Sequence, residues 1–118
     1  MTPWKAAVVT TWTVPAVVLR VIDADSLRMQ LDLGWYTYRV ENCRLGHCNA
    51  PELNTAAGRA ARDFVLTLLT IGDPVTFTSK SLDKYGRPLG DITLADGRDL
   101  ATILIQAGHA APYEGGAR

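Results

Sequence analysis

The spacing of apolar residues in the first third of the chain predicts strands. Residues 12–22 (WTVPAVVLRVI) are rich in β-branched side chains, and Pro15 stands near the start, where a strand tolerates a missing N–H. From Leu27 to Leu33, apolar residues alternate with polar ones, the two-residue period of a half-buried strand. The DADS segment between these stretches predicts a turn, and Gly34 is expected to close the hairpin.

A third strand should follow, although its apolar pattern changes parity. The two sets of apolar positions are Tyr36, Tyr38 and Val40, followed by Cys43 and Leu45. Because side chains alternate between the faces of a strand, both sets reach one core only if the phase slips. We therefore expect a β-bulge near residues 41–42.

After Pro51 the pattern becomes helical. Thr55 is a suitable N-cap, Gly72 is expected to stop the helix, and the apolar positions between them are Ala57, Ala60, Ala61, Phe64 and Leu68. Strands are then predicted over residues 74–81 and 89–94, and a short helix over residues 100–107. This order predicts an α+β fold, mainly β: a five-stranded OB-fold-like barrel with a helix after strand 3 and a short C-terminal helix.

Chain length, net charge and the length of the apolar runs restrict the domain number and the kinds of binding that we expect. The 118 residues fit one domain, which we assign to residues 1–118, with 1–11 as an N-terminal extension and 111–118 as a flexible tail. Twelve basic and twelve acidic side chains cancel, so phosphate binding must be local rather than driven by a basic surface. The apolar runs are shorter than the roughly 20 residues of a membrane span. With no convincing signal peptide, we expect a cytoplasmic protein.

Two cysteines, Cys43 and Cys48, lie close together in sequence. If the segment is extended, their Cα atoms are about 16 Å apart, too far for a disulfide. With His47 they suggest a zinc site, but the spacing matches no common zinc motif, and a fourth ligand would have to be the distant His109. We expect two reduced, partly buried thiols.

Two short segments carry candidate chemistry, and each also has an ordinary explanation as a turn. Asp23 and Asp25 flank Ala24, and two carboxylates on one side of a strand end can bind calcium or magnesium. The segment LDKYGRPLG sets Lys84, Tyr85 and Arg87 in one loop, and these side chains suit a phosphate, which accepts paired hydrogen bonds from a guanidinium.

Taken together, the motifs resemble a known family. VIDADS, RLGHCNAPEL, a helix, DKYGR, then ADG and a helix ending QAGHA follow in the order of the staphylococcal nuclease-like (thermonuclease) family. The resemblance covers about residues 16–110, and three motifs in order are far more specific than one. It implies an OB-fold nuclease that cuts DNA, RNA or both with the help of calcium, or of another divalent cation such as magnesium.

The resemblance also implies roles for individual residues. Arg44 and Arg87 are similar to the family's phosphate-binding arginines, and Glu52 to the acid that activates water. Lys84 and Tyr85 resemble its contacts to the nucleotide. A partner nucleic acid, preferentially single-stranded, and a monomeric protein are therefore expected.

For the metal, Asp25 resembles the carboxylate ligand, Ala50 the residue that lends its backbone carbonyl, and Asp23 an acid close to the ion without touching it. Asn49 stands where the family usually has a metal-binding aspartate, so the affinity for metal should be low. Ala24 and Ser26 also depart from the family's turn, and the chain lacks a third helix. We expect residues 1–11, with Trp4, to cover the surface that this helix would cover.

Two other readings remain beside the nuclease. An OB-fold could hold single-stranded nucleic acid without cutting it, although such a module would commonly have lost the acid that this chain keeps at Glu52. A structural barrel whose charged residues form only a solvated face is the third reading. The presence of Arg44, Glu52 and Arg87 together favours the nuclease.

Overall fold

The computed structural model describes residues 11–113 as a closed barrel with two helices. The elements in chain order are β1 (Trp12–Asp23), β2 (Ser26–Asp32), β3 (Tyr38–Leu45), β4 (Cys48–Asn49), α1 (Ala56–Leu68), β5 (Pro74–Leu82), β6 (Pro88–Thr93), α2 (Leu100–Gln106) and β7 (Ala111–Pro112). The predicted fold class is confirmed. The expected role of Trp4 falls outside the described residues.

Five strands close the barrel in the order β1-β2-β3-β6-β5. Neighbouring strands are antiparallel except β3 and β6, which pair in parallel at Arg44↔Leu89 and Leu45↔Gly90. This parallel contact brings the end of β3 beside the start of β6, which follows the DKYGR loop. The barrel is filled by buried side chains from all five strands and both helices, the largest being Phe77, Leu27, Met29, Leu45, Ile92, Leu100 and Leu104.

The bulge expected in β3 is not there. The β2–β3 register runs without a break from Ser26↔Arg44 to Asp32↔Tyr38, whereas irregularities lie in β1 and in the β5–β6 pairing. The prediction was wrong because Tyr38 and Val40 are not core residues: they are 54% and 41% exposed. The apparent phase slip marks a strand whose outer face carries the apolar residues Tyr38 and Val40.

Helix α1 begins where the sequence predicts, and three of its five predicted core positions pack against the barrel: Ala61 is buried, and Phe64 and Leu68 are partly buried against the core. The backbone N–H of Gly58 donates to Thr55 Oγ1 at 3.0 Å, which confirms the N-cap. The buried residues are Gly58, Ala61 and Val65, whereas Ala57 and Ala60 are exposed. A Cβ at position 58 would lie 1.9 Å from the carbonyl oxygen of Glu52, so glycine permits this close approach.

The last strand changes the prediction for the C-terminal segment. Ala111 and Pro112, assigned from the sequence to a tail, form β7 and pair with β4 at Cys48↔Pro112 and Asn49↔Ala111. The N–H of Tyr113 also donates to the carbonyl oxygen of His47 at 2.9 Å. The segment that follows α2 is thereby attached to the loop that carries Asn49.

Candidate active site

The turn between β1 and β2 places two carboxylates side by side in the protein. Asp25 is 3% exposed, and its Oδ2 accepts a hydrogen bond from the N–H of Ala50 at 3.1 Å. Asp23 is half-buried, and its Oδ1 has no hydrogen-bond partner among the described residues. Burial, followed by the neighbouring Asp25, raises the pKa of Asp23 from 3.8 to about 6. Two acids confined in this way attract a positive charge.

Arg44, near the end of β3, supplies part of that charge. Its Nη2 lies 3.2 Å from Asp25 Oδ2 and 3.2 Å from Asn49 Oδ1. The main chain is joined at the same point, because Leu45 N–H donates to the carbonyl oxygen of Asp25 at 2.9 Å. Motifs from the first turn and from the third strand thus form one hydrogen-bonded cluster.

The DKYGR loop is organised by its first residue. Asp83 Oδ1 accepts the backbone N–H groups of Tyr85 and Arg87, each at 2.9 Å, and its Oδ2 accepts Arg87 Nε at 2.6 Å. Gly86 has φ +80°, a conformation that the turn requires and that favours glycine. Burial works to raise the pKa of Asp83, but these hydrogen bonds outweigh it and the pKa is lowered. The loop therefore fixes the direction of Arg87.

Tyr85 lies between the two cations of the loop. Its ring centroid is 5.2 Å from Lys84 Nζ and 5.6 Å from Arg87 Cζ, within the range of cation–π attraction. The tyrosine is also 73% exposed. One face of the loop thus combines positive charge with an accessible aromatic ring.

These elements surround one open cleft of about 320 Å³. It is lined by Arg44, Asn49, Asp83, Lys84, Tyr85, Arg87 and Tyr113. Five residues singled out in the sequence are therefore brought together, and Asp25 contacts the cleft through Arg44. Asp23 and Ala50 join the cluster through their contacts with Asp25.

Glu52 does not line this cleft. It is exposed in the segment before α1, where its carbonyl oxygen accepts Thr55 N–H at 3.0 Å and Thr55 Oγ1–H at 2.6 Å. The close packing of Gly58 against the same carbonyl fixes its backbone further. The main chain of Glu52 is therefore well defined, while its side chain is open to solvent.

Two residues of the cleft were not singled out in the sequence. Asp83 could have been found, since aspartate at the first position of a turn commonly accepts the N–H groups that follow it. Tyr113 could not, because it reaches the cleft through the pairing of β7 with β4, a contact between distant segments that no local pattern reveals.

The oxygen donors of the cluster fit a hard cation. Asp23 Oδ1, which has no hydrogen-bond partner within the described residues, and the buried Asp25 provide carboxylate oxygens. Asn49 and Ala50 can add an amide and a main-chain oxygen. Within residues 11–113, however, no group of three or more Asp, Glu, His or Cys is placed to hold an ion. Such a site would need neutral oxygens in addition to the two carboxylates.

The cysteines do not resemble zinc ligands. Cys43 and Cys48 are both buried thiols, more fully than expected, and burial, followed by the charge of Glu41, raises the pKa of Cys43 to about 12. His47 instead points to Asp91, with Nε2 3.7 Å from Oδ1, and its side chain is 65% exposed. Both thiols therefore lie in the core, whereas His47 lies at the surface.

Comparison with known proteins relates this chain to nucleases. Residues 42–117 match the family described as staphylococcal nuclease homologue. An uncharacterized endonuclease of Escherichia coli O157:H7 is 33% identical over 97 residues, covering 82% of this chain and 60% of that protein. A micrococcal nuclease of Shigella flexneri is 38% identical over 122 residues, covering 92% of this chain and 67% of that protein.

A third relative is much longer. Endonuclease YhcR of Bacillus subtilis (strain 168) is 29% identical over 106 residues, which are 82% of this chain but 9% of that protein. The chain spans about 60% of the length of the first curated relatives that it matches. Neither helix in the described part of the chain is long and apolar enough to cross a membrane.

Proposed function

The chain belongs to the staphylococcal nuclease homologue family, and from that premise we propose that it hydrolyses phosphodiester bonds of DNA, RNA or both. The observation that carries the proposal is the cleft in which Arg44 and Arg87, from distant parts of the chain, meet Lys84 and Tyr85. The names of the relatives, endonuclease and micrococcal nuclease, support the same reaction.

The two arginines are suited to the charge that develops during the reaction. When a nucleophile attacks a phosphodiester, negative charge gathers on the non-bridging oxygens, and fixed cations lower the barrier most when they lie there. Arg87 is held through Nε by Asp83, so its two terminal nitrogens can donate to a phosphate. Arg44 is held on one side by Asp25 and Asn49.

Glu52 is proposed to activate the attacking water. Its exposed carboxylate can accept the proton that the water loses as the new P–O bond forms. The P–O bond to the leaving alcohol breaks in the same reaction, and the leaving oxygen takes a proton from solvent. Its backbone, fixed by Thr55 and by the packing of Gly58, keeps the residue at one place beside α1. The side chain must turn towards the phosphate when a substrate is bound, since it does not line the cleft.

A divalent cation, calcium or magnesium, is proposed to be held by Asp25, Asn49 and the carbonyl oxygen of Ala50, with Asp23 close by. When bound, it would add positive charge beside the phosphate. The pair of carboxylates at the β1–β2 turn supports this assignment, because their proximity to each other is unfavourable without a cation.

Single strands are the preferred substrate in this proposal, with the protein acting as a monomer. Tyr85 is exposed at the rim of the cleft, where an unpaired base could stack on its ring. In a duplex the base faces are covered by their neighbours and could not use this contact.

Two observations favour a second candidate, an OB-fold module that binds single-stranded nucleic acid without efficient cutting. Asn49 replaces a charged ligand, and Arg44 is already engaged by Asp25 and Asn49. Such a protein would keep its affinity for nucleic acid but would turn over slowly at any metal concentration.

The decisive experiment measures cleavage of labelled single-stranded DNA, duplex DNA and RNA in calcium, magnesium or EDTA. We expect cleavage that requires a divalent cation and is fastest on single strands. The matched control is Glu52→Gln, which should fold and bind like the parent and lose activity. Equal activity of parent and variant would identify a contaminant or a wrong assignment of Glu52, whereas binding without cleavage in every condition would favour the binding module.

A further inference from the structure

The tip of the β2–β3 hairpin presents two aromatic side chains almost entirely to solvent. Trp35 is 96% and Tyr36 95% exposed, and their φ angles are +57° and +60°. The N–H of Thr37 donates to the carbonyl oxygen of Gly34 at 2.9 Å, which closes the turn around them. Positive φ at both central positions is the pattern of a type I′ turn, which favours Asn and Gly, and is uncommon for bulky residues. Folding alone does not account for an aromatic pair here.

The outer face of β3 connects this tip to the cleft. Side chains alternate between the faces of a strand, so Tyr38, Val40, Asn42 and Arg44 share one face. Cys43 and Leu45, on the opposite face, are buried in the barrel. Six residues at ~3.4 Å per residue separate Tyr38 from Arg44, a distance of roughly 20 Å along the strand.

A shallow depression lies at the tip on the same face. Asp32 is the cross-strand partner of Tyr38, so their side chains stand on one side of the ribbon. Together with Trp35 and Tyr36 they line an open depression of about 480 Å³. The exposed aromatic rings are therefore accessible from the face that carries Arg44.

Charge is distributed unequally along this face. Near the cleft, Arg28 lies opposite Asn42 and donates from Nη1 to its Oδ1 at 2.9 Å, next to Arg44 along the ribbon. At the tip the charged residue is Asp32, whose carboxylate repels phosphates. The cleft end is thus suited to phosphates and the tip to the uncharged faces of bases.

We propose that the outer face of the β2–β3 ribbon is a second binding surface for single-stranded nucleic acid, with bases stacked on Trp35, Tyr36 and Tyr38. This inference rests on the proposed function and extends it, because it specifies the path of the bound strand. The strand would run from the phosphate bound at Arg44 along β3 to the tip of the hairpin. Base stacking on aromatic side chains is tolerant of sequence and requires unpaired bases. The surface therefore selects long single strands over very short ones.

The test is a binding measurement in EDTA, where the oligonucleotides stay intact. Fluorescence anisotropy compares a dinucleotide with an oligothymidine of roughly eight nucleotides, a length within the site sizes of OB folds. The double variant Trp35→Ser/Tyr36→Ser should bind the longer oligonucleotide about 10-fold more weakly or worse, so that the preference for the longer one falls by the same factor. Ile71→Ser, at another exposed apolar residue, is the matched control and should bind both like the parent.

A second measurement observes the tryptophan directly. In a Trp4→Phe/Trp12→Phe background Trp35 is the sole remaining tryptophan of the chain's three, and the longer oligonucleotide should quench its emission. Unchanged emission at a concentration that saturates anisotropy would overturn the inference. Circular dichroism of each variant verifies that the fold is retained.

The remaining outcomes separate this inference from the proposed function. If the serine variant binds the longer oligonucleotide like the parent, while cleavage still depends on Glu52, the tip surface is wrong and the nuclease stands. If the parent binds no oligonucleotide in EDTA, the tip surface is wrong, and cleavage in calcium or magnesium tests the proposed function separately. A parent that sediments as a dimer, beside a monomeric serine variant of unchanged affinity, would make the tip a contact between two copies and overturn the inference.

Discussion

The two arginines of the cleft are held in different ways. Arg87 is paired with Asp83 four residues earlier, inside one turn, with 2.6 Å between Nε and Oδ2. Arg44 is paired with Asp25, which belongs to another turn of the barrel, with 3.2 Å between Nη2 and Oδ2. The first pair depends on local geometry, and the second forms only when β1, β2 and β3 have assembled.

Because of this difference, we expect the two arginines to contribute unequally to the stability of the barrel. Arg87 is about one third exposed and lies in a loop, so little of the barrel depends on it. Arg44 compensates a carboxylate that is almost fully buried next to a second acid, so it also contributes to the stability of the barrel. In the proposed function, Arg87 would therefore serve the substrate alone, whereas Arg44 would serve both the substrate and the fold.

The largest expected effect concerns the positive charge that both arginines are proposed to place at the phosphate. Arg44→Ala and Arg87→Ala should each lower turnover on the order of 10²-fold or more, because each removes a fixed charge from the phosphate. Steady-state cleavage at saturating substrate measures this. Arg59→Ala, at an exposed arginine of α1, is the control and should leave turnover unchanged. If both cleft variants cleave like the parent, neither arginine acts on the phosphate.

The next prediction tests the different contributions of Arg44 and Arg87 to folding. Arg44→Ala should destabilise the protein by about 3 kcal/mol, because it leaves the buried Asp25 without its cation. Arg87→Ala should cost about 1 kcal/mol or less, because Arg87 is the more exposed partner, four residues from Asp83, and Asp83 keeps the hydrogen bonds from the backbone N–H groups of Tyr85 and residue 87. Urea unfolding of the two variants and the parent at pH 7 without metal measures the difference. Equal losses would mean that the Asp25–Arg44 pair contributes no more to folding than the local one.

The same contrast explains what the sequence could predict. The barrel and the DKYGR loop follow from short-range patterns: alternation in residues 27–33, the N-cap Thr55 and the turn residues around Gly86. The β3 bulge was predicted wrongly, because an alternation rule assumes that apolar residues face the core, and Tyr38 and Val40 do not. The contacts of Arg44 and Tyr113 depend on pairing between distant strands, which no local pattern specifies.

Asn49→Asp changes the surroundings of Arg44 and not those of Arg87, because Arg44 contacts this residue and Arg87 is held by Asp83. A carboxylate should lower the calcium or magnesium concentration for half-maximal cleavage several-fold, since it adds charge to the proposed ligands. Without metal, the new carboxylate can pair with Arg44, but it also faces the carboxylate of Asp25. We therefore expect no gain in stability other than the contribution of the pair with Arg44. Titration of activity against each metal measures this. An unchanged or weaker metal dependence would mean that Asn49 is not at the metal.

The smallest expected effect concerns Asp83, the acid of the local pair with Arg87. Asp83 has a lowered pKa, so its ionised form stabilises the folded state above its unfolded pKa near 4, and this contribution is lost as the pH falls through the lower, folded pKa. Asp83→Asn keeps an acceptor oxygen for the backbone N–H groups of Tyr85 and Arg87 but loses the charge that faces Arg87. The variant should be less stable than the parent at pH 7, by about 1 kcal/mol or less, and the gap should close between about pH 4 and pH 2. Urea unfolding at a series of pH values measures the gap. A gap that stays constant down to pH 2 would mean that the charge of Asp83 contributes nothing, and that the loop is held by its backbone hydrogen bonds alone.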